Sequence, residues 1–338
     1  MGIVGSLDIH RSQSTFEYAD SVTGELTRGQ IVGTRAALAE FLDGFDPDVD
    51  VEFAFEGCTG WRYVAEELQV RGFGAHMAEP ADTAMMRGRK KRAKTDRADA
   101  ALLRQLLVAG DLPESWIPPS FVVDIRVLAR SYQALQADRR RWIQRVHAQV
   151  YQHGAAPVPV TVRDRRDEAL AALDVADPVR MMLVNAQKVI DVLEAQLEST
   201  GAELRRFATG HPGPRALLKV FGIGPLLAPM IWAEMGDTRR FSSSRQAVRF
   251  VGLDITVHDS NSRRRPGYLS KQGSPTLRWA LVEAAQCAAR TGSPDHDYYL
   301  EVKQRLDGGR AALSVARKLA RRVHHVLADL GDDAWQPI

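Results

Sequence analysis

Lys94-Thr95-Asp96-Arg97-Ala98-Asp99 is the stretch from which the rest of the chain can be read. Asp96 and Asp99 stand three apart at the opening of a predicted helix, so they share one helix face. Two carboxylates aimed at one spot repel each other unless a cation lies between them. Mg²⁺, a hard and oxygen-seeking ion, is the usual solution at phosphate chemistry. A dense basic run precedes the pair: Arg87, Arg89, Lys90, Lys91, Arg92 and Lys94, with Arg97 between the two acids. Such charge density suits a polyanion. Taken alone, the pattern reads more simply as a solvated helix start with an acid near the positive dipole end. The neighbouring sequence changes that balance.

Working outward toward the N-terminus, residues 3–8 read as a short buried strand ending in Asp8. Residues 15–20 and 27–31 read as two more strands of a meander. Residues 34–42 have helical spacing, with Thr34 as N-cap. Val51-Glu52-Phe53-Ala54-Phe55-Glu56 alternates too little for a surface strand, so it reads as a central strand buried on both faces. It ends in Glu56 and the breaker Gly57. A helix over 61–70 and a strand over 74–77 follow, then the basic loop and the helix of Asp96, which runs to about residue 110. Asp8 and Glu56 thus each stand at the C-terminal end of a strand, the edge where α/β sheets gather their active sites. A strand-end Asp is often only a turn residue. Glu56 follows an apolar run and needs a partner for its charge. If the two strands are neighbours, Asp8, Glu56, Asp96 and Asp99 converge as a metal site suited to phosphoryl transfer.

The order Asp, Glu, then a close Asp pair resembles the RuvC-like, ribonuclease-H-type fold. More narrowly, the chain is similar to the DEDD transposases of the insertion sequence 110 family, relatives of the Piv DNA invertase. The residues carrying the likeness are Leu7-Asp8-Ile9, Phe55-Glu56-Gly57-Cys58-Thr59-Gly60 and Lys94 to Ala100. Family members usually have Ala after the Glu, where this chain has Gly57. The resemblance implies an α/β catalytic domain over 1–112, a helical, coiled-coil-like region over 113–208, and an α-helical transposase domain over 209–332. It also implies that the four carboxylates hold Mg²⁺.

The second half has its own signals. Ile125, Leu128, Tyr132, Leu135, Trp142 and Val146 alternate steps of about three and four, with Arg139 interrupting. So do Val179, Leu183, Ala186, Ile190, Leu193, Leu197, Leu204 and Phe207, which is the spacing of a coiled-coil seam. Either the two runs form an internal helical hairpin or they join subunits; spacing does not separate these. Residues 154–159 read as a linker. Leu217 to Ala228 sets a Gly222-Ile223-Gly224 turn between apolar helices, which resembles a helix-hairpin-helix DNA-binding element. There, glycines let backbone approach a phosphate. A plain turn between core helices is the alternative. Residues 241–250 read as a helix, and 276–290, 298–306 and 311–330 as three more. The last carries Arg317, Lys318, Arg321, Arg322 and His324, read as an exposed face suited to nucleic-acid backbone or to solvent.

Between these helices lies Gly252-Leu253-Asp254-Ile255-Thr256-Val257-His258-Asp259-Ser260-Asn261-Ser262-Arg263-Arg264-Arg265-Pro266-Gly267-Tyr268-Leu269-Ser270-Lys271-Gln272-Gly273. It reads as a polar loop in which Arg263, Arg264, Arg265 and Lys271 can bind a phosphodiester. It resembles the family segment in which Gly-Leu is followed by a serine, a basic patch and Ser-Lys-x-Gly. By that alignment Ser260 is the nucleophile, although Asn261 stands where the family has Gly and Ser262 is a rival. Ser270 belongs to the turn and reads as structural.

Composition bounds the rest. The chain has 338 residues, 45 Lys+Arg against 42 Asp+Glu, and net charge +3, so basicity is local rather than global. The two cysteines, Cys58 and Cys287, exclude a disulfide framework and a cysteine zinc site. No secretory pattern or membrane-length apolar run is read, and a reducing cytoplasm fits. The function implied is recombination of a mobile element: Mg²⁺-dependent cleavage and rejoining of donor and target DNA through a serine–phosphate link. In the resembled family a bridge RNA guides the site choice, and dimers assemble into tetramers. The rivals are a hydrolytic nuclease or junction resolvase using water, a Piv-like invertase without RNA, and a scaffold that only binds nucleic acid.

Overall fold

The computed structural model describes residues 2–86, 95–159, 163–255, 258–260, 263–265 and 267–337. They fall into two compact units, 1–117 and 118–338.

The first unit is built on a five-stranded sheet of β1 (Gly2–Ile9), β2 (Gln13–Asp20), β3 (Leu26–Val32), β4 (Asp50–Glu56) and β5 (Gly74–Ala78), in the order β3-β2-β1-β4-β5. β1, β2 and β3 are the expected antiparallel meander; β4 and β5 run parallel to β1. Alternation along β4 divides the sheet's two faces. Val51, Phe53 and Phe55 join Leu7 on one face and pack beneath α1 (Arg35–Leu42) and α2 (Trp61–Val70). Ala54 lies on the other face with Ala78 and Leu103. From Phe53 to Phe55, β4 is therefore covered on both sides, as that apolar run implies. Thr34 caps α1 by accepting a bond from the Ala37 amide, 3.3 Å. A short helix, α3 (Pro80–Met86), follows β5 where the sequence reads as loop.

Leu103 belongs to α4 (Asp96–Ala109), which crosses the second face. Thr95 caps it by accepting from the Ala98 amide, 3.2 Å. Gly110, at φ 70, ends it by returning its N–H to the Leu106 and Leu107 carbonyls. Asp99, Leu103 and Leu107 recur at steps of four, so one stripe runs from acid to apolar along the helix.

The second unit is helical: α5 (Ser120–Gln152), α6 (Arg163–Ala171), α7 (Asp177–Gly210), α8 (Pro212–Leu217), α9 (Leu227–Met235), α10 (Ser244–Val251), α11 (Pro275–Gln286), α12 (His296–Arg305) and α13 (Gly308–Leu330). The two seam-spaced runs lie on α5 and α7, which pack on each other within the chain. Val146 and Val150 meet Leu183, Ala186 and Ile190 there. The 154–159 segment joins helices inside this unit rather than dividing two units, and Val158 is buried in the same cluster. α9 is buried from Ala228 to Met235, so it is the unit's central helix. Its Trp232 donates Nε1–H to the Ala334 carbonyl, 2.9 Å.

Two sequence readings of this unit are corrected. The helix read over 241–250 begins at Ser244, because the Ser243 side chain takes the N-cap and accepts from the Gln246 amide. The cations of α13 do not form an exposed face. Asp295 is 3% exposed and draws both Arg322 and Lys318 onto itself. Arg317 donates to the Leu253 carbonyl at 2.6 Å, and His324 is buried. Of the five, Arg321 alone is exposed.

Candidate active site

β1 and β4 are parallel neighbours in register, with Leu7 beside Phe55. Each strand then advances one residue, to Asp8 and to Glu56. Both side chains alternate to the face opposite Leu7 and Phe55, the face α4 covers. Ser6, two residues before Asp8, marks that face: its hydroxyl donates to the Ala100 carbonyl of α4 at 2.6 Å. The first turn of α4 supplies Asp96 and Asp99. A second tie sets the helix's rotation. Glu17 is the register partner of Ser6 and is 2% exposed. It accepts from Arg104 Nε at 2.8 Å and from Arg28 Nε at 2.5 Å. The Arg104 bond fastens the middle of α4 to β2, leaving its acidic end at the sheet edge.

Asp8 and Asp99 are each 9% exposed, and Glu56 is half-buried. Burial pushes the Asp8 carboxyl above its ordinary range; His10 pulls it down, while Asp99 and Asp96 push it further up. The charges of both α4 carboxylates therefore act on Asp8. Among the described residues, the tight donor group is Asp8, His10 and Asp96, with ligand atoms within 4.8 Å of one another. Asp99 acts on Asp8 through its charge and Glu56 stands on the adjoining strand, but neither belongs to this group.

His10 is a residue the sequence reading passed over. Its Nε2 lies 3.2 Å from Asp8 Oδ2 and 3.7 Å from Asp96 Oδ1. The signal available was adjacency: His10 follows Asp8 by two residues, in the turn that closes β1.

Of the predicted nucleic-acid contacts in this unit, Arg97 is exposed on the first turn of α4. Arg87, Arg89, Lys90, Lys91, Arg92 and Lys94 lie outside the described residues.

In the second unit the polar loop contains a two-stranded hairpin, β6 (His258–Ser260) and β7 (Arg263–Arg265), pairing Ser260 with Arg263. Ser262 lies outside the described residues. The turn after the hairpin is built on backbone contact. Ser270 hydrogen-bonds the Asp254 carboxylate, and the Lys271 amide donates to the Gly252 carbonyl at 3.2 Å. Gly273 passes so close to Phe250 that a Cβ would stand 2.0 Å from its carbonyl oxygen. Ser270 is structural, as read; Lys271 is exposed on this turn.

In the Gly222-Ile223-Gly224 turn, Gly222 has φ +93 and faces Ala284, whose carbonyl would lie 2.4 Å from an added Cβ. Gly224 has open space around it. The two glycines differ: Gly222 is fixed by its φ and by the Ala284 carbonyl, whereas a side chain at Gly224 would meet nothing.

Residues 5–154 match a transposase model of the DEDD type, and residues 215–300 match the model for the transposase IS116/IS110/IS902 family. The chain belongs to this transposase family. The first match takes in Asp8, Glu56, Asp96 and Asp99, and the second takes in Ser260 and its arginines. A putative transposase of Sinorhizobium fredii is 29% identical over 79% of this chain and 72% of its own length. A probable family 20 transposase of Pseudomonas aeruginosa is 24% identical, covering 85% and 86%. The IS116 insertion-element protein of Streptomyces clavuligerus is 25% identical over 72% of each. As a family member, this chain is a transposase of an insertion sequence element, an enzyme that cleaves and rejoins DNA. Among the described residues, no helix is long and apolar enough to cross a membrane.

Proposed function

We propose that this transposase excises and inserts its element by Mg²⁺-dependent strand cleavage, through a covalent link between Ser260 and DNA. The observation that carries the reading is the gathering of Asp8, Asp96 and Asp99 beside one sheet edge, with Glu56 on the adjoining strand. The donor set fits a hard divalent cation. Asp8 is nearly buried, its ionised form is disfavoured by burial and by two neighbouring carboxylates, and a cation would relieve both. Held by Asp8, Glu56, Asp96 and Asp99, Mg²⁺ would supply positive charge to the phosphoryl oxygens and to the leaving oxygen.

The chain's residues supply the exchange itself. Ser260 Oγ attacks phosphorus; an O–P bond forms as the bond from phosphorus to the 3′ oxygen breaks. The net movement of the proton is from the serine hydroxyl to the released 3′ oxygen. One phosphodiester is exchanged for another, so resealing by the reverse reaction requires no ATP. Arg263, Arg264 and Arg265 hold the phosphate's charge.

The strand order and the placement of the acids support a RuvC-like, ribonuclease-H-type domain over 1–112, followed by a helical region and a transposase domain over 209–332. The open space beside Gly224 supports a helix-hairpin-helix contact with a phosphate, while Gly222 shapes the turn. The basic run at 87–94, with Arg97, suits donor and target DNA and a bridge RNA. The paired α5 and α7 would present their outer faces to a second subunit, leading to dimers and then tetramers in the cytoplasm, with tetrad and serine drawn from different subunits.

The test is a cleavage assay in which protein–DNA adducts are sought after denaturation. Ser260→Ala should lose the adduct entirely, and Asp99→Asn should lose Mg²⁺-dependent cleavage while still binding DNA. Mixing the two variants should restore partial activity if the site is shared. An adduct that persists in Ser260→Ala but vanishes in Ser262→Ala moves the nucleophile by two residues. Cleavage without any adduct in the wild type would establish a hydrolytic nuclease instead.

A further inference from the structure

The tetrad reading accounts for four oxygen-donor residues and leaves His10 without a role. Yet among the described residues His10 completes a donor group with Asp8 and Asp96. Its placement is fixed by the turn that follows β1: the His10 amide donates to the Gln13 carbonyl at 3.0 Å, closing the connection to β2. The imidazole then stands between Asp8 on the strand and Asp96 on α4.

One imidazole nitrogen reaches both carboxylates. A charge-assisted N–H···O bond runs to about 2.7–2.9 Å. His10 Nε2 hydrogen-bonds Asp8 Oδ2 at a longer 3.2 Å and stands 3.7 Å from Asp96 Oδ1, near both acids and tightly held by neither. Donors around one octahedral ion at about 2.1 Å are separated by about 3.0 Å when adjacent and about 4.2 Å when opposite. Both observed spacings fall between those limits. His10 is also half exposed, so its ring is not held there by packing.

We propose that His10 is a nitrogen ligand of the metal that the DEDD carboxylates bind. The inference rests on the reading of that tetrad as a cation site and adds to it a mixed oxygen–nitrogen donor set. Imidazole binds Mg²⁺ poorly and transition ions well, whereas carboxylates serve Mg²⁺ and Mn²⁺ alike. His10 therefore biases the centre toward Mn²⁺ relative to an all-carboxylate site. It also gives Asp8 and Asp96 a common neighbour that keeps the strand-borne and helix-borne halves of the site in register.

The test uses the full-length protein and Mn²⁺ itself as the probe. Mn²⁺ binding is followed by loss of the free-ion electron paramagnetic resonance signal, and ligand identity by spin-echo detection of ¹⁴N coupling. The wild type should show one histidine-type ¹⁴N coupling, absent in His10→Ala. His10→Ala should lower Mn²⁺ affinity by at least about tenfold while changing Mg²⁺ affinity much less. Circular dichroism confirms that the variant is folded, and His10→Asn provides a second variant that keeps polarity without the ring. Mn²⁺ bound with no nitrogen coupling in the wild type overturns the role of His10 and leaves the tetrad standing. Coupling that survives in His10→Ala overturns it too, by assigning the nitrogen elsewhere. No Mn²⁺ binding by the wild type overturns both the inference and the tetrad reading.

Discussion

Replacing Asp8 by Asn should stabilise the metal-free protein while destroying its activity. Asp8 is 9% exposed, and both burial and its carboxylate neighbours raise its pKa. The donor atoms of Asp8 and Asp96 lie within 4.8 Å. Two full charges at that distance repel by about 3.5 kcal/mol at an effective dielectric of 20. Asp96 is 45% exposed, so solvent screens much of this, and about 1 kcal/mol is carried forward. Asn is nearly isosteric and its carbonyl can still accept a hydrogen bond from His10, so little is lost in return. Urea denaturation in EDTA at pH 7 should therefore place Asp8→Asn about 1 kcal/mol above the wild type. Mg²⁺ should reverse the order. Ligand at a hundred times its Kd stabilises the binding protein by about 2.7 kcal/mol, and the variant lacks a ligand for it.

The pH dependence follows from the same shift. A carboxyl whose folded pKa is raised keeps its proton in the folded protein when the unfolded chain has lost it. Stability thus falls as pH rises from 3.8 through the raised folded value, and the penalty is complete above it. The variant's advantage should accordingly fade as pH is lowered toward 3.8. A variant less stable than the wild type in EDTA at pH 7 would refute the reasoning, because Asp8 would then be a net structural asset rather than a charge kept for a metal.

Two further outcomes are expected. Neutralising Arg87, Arg89, Lys90, Lys91, Arg92 and Lys94 together should reduce the slope of log K against log salt for duplex DNA, by up to about 0.9 for each phosphate the run neutralises; an unchanged slope rules the run out as a partner of the DNA backbone. Gly222→Ala should cost about 2–4 kcal/mol in denaturation, since it forces a side chain to φ +93 against the Ala284 carbonyl. Gly224→Ala should stay within about 0.5 kcal/mol, and a DNA-binding loss in that variant alone would support the phosphate role of the turn.

Much of this protein is decided locally, and that part was legible in its sequence. A strand covered on both faces alternates little, which is why Val51 and the Phe53-Ala54-Phe55 run announce β4 even though Glu52 interrupts them at its open end. Caps are local chemistry, so Thr34 marks the start of α1, and a Gly after an apolar run marks the end of α4. The spacing of Asp96 and Asp99 places them on one face of any helix that contains them, and strand polarity puts Asp8 and Glu56 at one kind of edge. What the sequence could not supply was partnership between distant residues. Asp8 and Glu56 become neighbours only because β1 pairs with β4, a registry fixed by the packing of Leu7, Phe53 and Phe55 beneath two helices. The acidic turn of α4 reaches the same edge because buried Glu17 fastens Arg104 to β2. The α13 cations looked exposed because their periodicity gives no sign of Asp295, a buried carboxylate on a preceding turn that holds two of them. The apolar seams of α5 and α7 could have met each other or another chain. Spacing fixes a face but not what covers it, and the fold resolved that by laying the two helices side by side.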